Sequence, residues 1–121
     1  MRTTTKVFAL IAIVLIIAAS CRADEINVER LADAIYRAEG GAKARSPYGV
    51  LSVKVKDKAD ARRVCINSIC NNIKRWEKAG KPGDFISFMA DRWCPIASDP
   101  KGNANWKRNV KAIYKAESSQ P

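Results

Sequence analysis

Glu39 is the residue whose setting most suggests chemistry. It closes an amphipathic run, Asn27 to Glu39, and Gly40-Gly41 follows it at once. Leu31, Ile35 and Glu39 recur at four-residue steps, so the carboxylate shares the stripe that packs inward. It also stands at a helix C-terminus, where the macrodipole disfavours negative charge. Partial burial and the dipole both raise a carboxylate's pKa. A carboxylic acid still protonated near neutral pH is equipped to donate a proton to a leaving oxygen. The adjacent glycines allow a polymer to approach closely. The plain alternative is a helix-terminal glutamate that faces solvent or pairs with Lys43 or Arg45.

Composition limits what else could react. The chain of 121 residues has no histidine, which removes Ser-His and Cys-His catalysis and the imidazole base. Its close cysteine pair, Cys65 and Cys70, is spaced Cys-x4-Cys with no histidine to complete a tetrahedral zinc set, so no metal or other cofactor is expected. Carboxylates are left to do the proton work.

The residues before Asp24 read as a targeting segment. Arg2 and Lys6 precede an apolar run of 13 residues, Val7 to Ala19, and small residues follow. That is the layout of a secretory signal, and 13 residues fall short of the ~20 that a spanning helix needs. Cleavage after Ala23 gives a signal peptide over 1–23. Ala18-Ala19-Ser20-Cys21 also resembles a lipoprotein site that would end the signal before Cys21 and anchor the protein through a lipid on it. An uncleaved anchor is the third reading. Each of the three makes the protein exported, periplasmic or extracellular. Removing 1–23 leaves 19 basic against 12 acidic residues. That excess favours anionic partners, and outside the cell an envelope polymer rather than nucleic acid.

The elements that must position Glu39 follow from apolar spacing. Helices are expected near 27–39, 58–78, 85–93 and 106–116, with Asp57 and Asp84 as N-caps. Leu51, Val53 and Val55 alternate with Ser52, Lys54 and Lys56, predicting one short extended or β element over 50–56. "IASDPKGNAN" reads as a loop of turn formers, and 117–121 as a flexible tail. The expectation is a mainly α, compact domain over 24–116. Cys65 shares a stripe with Ile69 and Trp76, while Cys70 turns toward the polar edge. Cys94 ends the helix expected to pack there, so a Cys65–Cys94 disulfide with Cys70 free is expected. Trp76 and Trp93 fit apolar stripes; Trp106, after "GNAN", either faces a cleft or locks a corner.

Helix, Glu39, Gly40-Gly41, a short loop, Ser46-Pro47, Tyr48-Gly49 and an apolar run together resemble the active-site segment of the lysozyme-like superfamily. In particular they look like the short lytic transglycosylase-like proteins of bacteria and phages. Phe85 to Val110 resembles the C-terminal helices of such proteins, with the Arg92-Trp93-Cys94-Pro95 corner and the Asn103-Ala104-Asn105-Trp106 turn. Gly49-Val50-Leu51-Ser52 stands where the family carries Gly-Leu-Met-Gln. Tyr48 and Lys54 stand where a phage lysozyme has its aspartate and threonine. The resemblance implies a lysozyme-like α+β fold and a monomer acting on peptidoglycan glycan strands. Glu39 would be the general acid toward a β-1,4 bond, with Tyr48, Ser52, Asn105 and Trp106 binding substrate. A transglycosylase needs only that one acid, because the muramyl 6-hydroxyl closes an anhydro ring. A hydrolysing muramidase needs a second carboxylate, for which Asp57, Asp60, Asp84, Asp91 and Asp99 are available. The competing expectation is a non-catalytic envelope-binding exported protein or lipoprotein; a small basic toxin-like secreted protein is the third.

Overall fold

The structure, a computed structural model, describes residues 26–44, 46–49 and 54–118. The targeting segment, Cys21, Ser52, most of the expected extended element and the last three residues lie outside the described residues. Within them there are four α-helices: α1 (Val28–Ala38), α2 (Lys58–Lys78), α3 (Phe85–Trp93) and α4 (Pro100–Ser118). Two 3-10 turns, Gly41–Lys43 and Pro47–Gly49, separate α1 from α2. The described part is mainly helical, and no strand occurs in it.

Local chemistry starts each helix. The Asn27 side chain accepts from the Arg30 amide at 3.0 Å, Asp57 from Asp60 at 2.8 Å and Asp84 from Ser87 at 2.9 Å. Each satisfies an amide that has no intrahelical partner. Gly40, at φ 108°, takes the left-handed conformation that ends α1 just beyond Glu39.

The helices bury one shared cluster. Leu31 and Ile35 of α1, Cys65, Ile69 and Ile73 of α2, Met89 of α3 and Val110 of α4 are all essentially inaccessible. Full burial of each Leu, Ile, Val or Met among them contributes roughly 1.5–3 kcal/mol. The α2–α3 turn is closed by an edge-on Trp76–Phe85 pair at 5.5 Å and by the Trp76 indole donating to the Gly83 carbonyl at 3.2 Å. Between the first and last helices, the Asn27 amide donates to the Tyr114 hydroxyl at 3.0 Å, and Arg37 pairs with Glu117 at 3.1 Å. These contacts tie α1 to the last turns of α4.

Two expectations are corrected. The last helix begins at Pro100, six residues before the expected start, and runs to Ser118, so the expected tail is helical at 117–118. The Asp99 carboxylate accepts from the Gly102 amide at 2.9 Å, and Pro100 sits in the first helical position, where its missing N–H costs nothing. Asp-Pro here starts a helix and does not mark a loop. Second, Cys65 and Cys94 are free thiols, and Cys70, expected to be free, is disulfide-bonded. Cys65 is buried within the aliphatic stripe of α2. Cys94 leaves the phase of α3, at φ −138° and ψ 82°, as the chain turns into Pro95, and its carbonyl is held by Asn103 Nδ2 at 2.8 Å. Helical phase located Cys65 correctly but could not place a residue already outside the helix.

Candidate active site

Glu39 caps the C-terminus of α1, its amide bonded to the Ile35 carbonyl at 2.9 Å. The carboxyl group reaches across the fold to α4. Trp106 Nε1 donates to Glu39 Oε1 at 2.9 Å over 67 residues of sequence. Trp106 is buried, and its ring lies 6.1 Å from that of Trp93 at the end of α3. Burial holds the Glu39 pKa above the ordinary carboxylate value; the side chains of Trp106 and then Trp93 pull it partway back by bonding to the anion. Burial prevails, so the protonated acid is favoured beyond its usual range.

The other wall is backbone. Gly49 has φ +66°, and a Cβ there would fall 2.6 Å from both Cδ and Oε2 of Glu39. The second 3-10 turn is therefore packed on the carboxyl group so closely that a Cβ at residue 49 would have to displace it. Its fold is fixed by the Gly49 amide donating to the Ser46 carbonyl at 2.9 Å. Glu39 Oε1 is occupied by an indole and Oε2 lies against a bare main chain.

The expected substrate residues separate. Trp106 is at Glu39. Tyr48 is not a free cleft wall: it is buried, with φ 60°, its ring 4.9 Å from Tyr36 and its hydroxyl accepting from Arg62 Nη1 at 3.1 Å. Asn105 is exposed on α4 and accepts from Arg108 at 2.7 Å. The buried asparagine of that turn is Asn103, which donates to Asp91 at 3.2 Å and to the Cys94 carbonyl at 2.8 Å and so fixes the α3–α4 corner behind Trp93 and Trp106. Sequence reading missed the contacts of Gly49 and Trp93 with the acid, although Tyr48-Gly49 and the Trp93 corner were both visible as motifs. Trp93, expected in the core, is only half-buried.

The five aspartates considered as second carboxylates all have other work. Asp57 caps α2, Asp84 caps α3 and pairs with Lys111 at 3.2 Å, and Asp99 caps α4. Asp60 pairs with Arg63 at 2.7 Å and Asp91 with Lys107 at 2.9 Å. Among the described residues, no three His, Cys, Asp or Glu side chains converge in a manner that could hold a metal ion.

The fold and site thus define a mainly helical protein with one desolvated, indole-held carboxylic acid at a helix end. No family model matches the chain, and comparisons with curated proteins and with solved structures also find no match.

Proposed function

We propose that the protein is a lysozyme-like, peptidoglycan-cleaving enzyme, a lytic transglycosylase or muramidase that uses Glu39 as its general acid. The observation that carries this reading is the Glu39 carboxyl itself, raised in pKa by burial and aimed by Trp106 against the bare backbone of Gly49. The sequence resemblance supplies the substrate, the β-1,4 bond after N-acetylmuramic acid.

In the proposed step, Glu39 transfers its proton to the glycosidic oxygen as the C1–O bond breaks. The leaving sugar departs as an alcohol. Glu39, now a carboxylate, takes the proton from the muramyl C6 hydroxyl as that oxygen bonds to C1, which forms the 1,6-anhydro ring and restores the acid. No water enters and no second carboxylate is required. The engagement of all five candidate aspartates in caps and ion pairs supports this route over hydrolysis. The proposed setting is the envelope outside the cytoplasm, where the basic surface would favour an acidic wall polymer.

A zymogram on purified cell wall, with wild type beside Glu39→Gln, tests the reading. Wild type should clear the wall and Glu39→Gln should not, since a positioned acid is worth about 10²–10⁴-fold in rate. Mass spectrometry should find anhydro ends; reducing ends would make the enzyme a muramidase. Full activity in Glu39→Gln removes the catalytic role. Wall binding without lysis in wild type leaves the envelope-binding reading in its place.

A further inference from the structure

A second concave site lies on another face of α1. Arg30, Asp33 and Arg37 recur at helical spacing on that face, away from the stripe of Leu31, Ile35 and Glu39. With Lys58 and Arg62 of α2 and Glu117 of α4 they line an open groove of about 610 Å³. Tyr36 and the buried Tyr48 form its aromatic wall.

The charges in this groove do not balance. Asp33 is taken by Arg62 at 2.6 Å and Glu117 by Arg37 at 3.1 Å. Among the described residues, no carboxylate pairs with Arg30 or Lys58. They rest on rings instead, the Arg30 guanidinium 4.0 Å from the centre of Tyr114 and the Lys58 ammonium 4.3 Å from that of Tyr36. Arg30 Nε is also a buried donor without an acceptor. Leaving such a donor unmet is unfavourable, and more so when it is charged. Two positive charges without a carboxylate partner thus line a polar, ring-walled concavity.

We propose that this groove is a binding site for a phosphate-class oxyanion, separate from Glu39. A dianion matches the two uncompensated cations, which a single carboxylate does not. Arginine offers a planar fork and lysine a point charge, the pairing suited to tetrahedral oxygens.

Amide and arginine Nε NMR of the full chain, titrated at constant ionic strength with inorganic phosphate, glycerol phosphate and acetate, tests the site. Saturable shifts at Lys58 and at the Arg30 Nε–H, with both phosphates binding more tightly than acetate, are expected. Lys58→Gln should weaken phosphate binding roughly tenfold, as loss of a charged hydrogen bond does. Lys78→Gln, a charge removed from the far end of the same helix, should not, and Glu39→Gln should bind as wild type does. Shifts that never saturate, equal weakening by Lys78→Gln, or acetate binding as tightly as phosphate would each overturn the assignment. Because the readout is binding and not lysis, it stands or falls apart from the role of Glu39.

Discussion

Trp106 Nε1 lies 2.9 Å from Glu39 Oε1, so a residue in the second turn of the last helix holds the side chain that closes the first. An indole N–H donates and never accepts. It therefore fixes the orientation of the acid and, by favouring the anion, opposes the burial that raises its pKa. Replacing it separates these two effects.

Trp106→Phe should lower the plateau rate of wall cleavage, by up to about 10²-fold if the carboxyl drifts by an ångström. The pH profile should also move. In the proposed mechanism activity needs Glu39 protonated and falls as pH rises through its pKa. Removing a donor that lowers this pKa raises it further, so the alkaline limb should shift to higher pH. A limb that stays in place or moves down would show that the indole only fills space.

Gly49→Ala and Gly83→Ala form a matched pair. Both glycines have φ near +66°, so each alanine bears the left-handed penalty of about 1–2 kcal/mol. A Cβ at Gly83 meets nothing within 4 Å, whereas one at Gly49 falls 2.6 Å from the Glu39 carboxyl. Denaturant melts should show losses of similar size, with Gly49→Ala the larger. Wall-lysis rates should separate them: Gly83→Ala active, Gly49→Ala strongly impaired. Equal rates would remove the Gly49 contact from the mechanism.

The thiols give a test of the core. Burial pushes the Cys65 thiol up to about 12, and Cys94 is raised by burial and by the charges of Asp99 and Glu39. Thiolate is the reactive form. Iodoacetamide on the native, unreduced protein should therefore modify Cys94 slowly and Cys65 only once denaturant opens the core. Cys70 should stay unmodified until its disulfide is reduced. Peptide mapping by mass spectrometry reads all three, and early labelling of Cys65 would contradict its packing.

Much of this fold was legible because it rests on local physics. The 3.6-residue stripe set the first three helices to within a residue or so, and Asp57 and Asp84 announced themselves as caps. The start of α4 was misread because Asp-Pro-Lys-Gly suits a turn as well as a helix start, and composition does not separate Pro100 at a first helical position from Pro100 in a loop. Glu39 was legible from its stripe and its glycines. Its partners were not. The Trp106 contact spans 67 residues. The role of Gly49 depends on a positive φ, and the positive φ of Tyr48 beside it accompanies a hydroxyl bonded to Arg62 instead of the acid. The cysteines failed for a related reason: helical phase predicts direction within a helix and says nothing of a residue, such as Cys94, that has left one.

Glu39→Gln should also change stability, with a sign set by linkage. A carboxyl whose folded pKa exceeds its unfolded value binds its proton more tightly in the native state. Its contribution is fully present below the unfolded pKa and is lost as pH rises through the folded one. The raised pKa of Glu39 places this loss above the ordinary glutamate range, and the loss reflects the penalty on a buried anion. The neutral amide of the variant would have no such charge, and its oxygen would still accept from the Trp106 indole. Thermal melts should therefore show Glu39→Gln equal to or above wild type at pH 7, with the difference shrinking as the pH is lowered through the acid range. A variant less stable than wild type at pH 7, or a gap that widens on acidification, would mean that the Glu39 anion is favoured by the fold, and would argue against a proton donor poised at the end of α1.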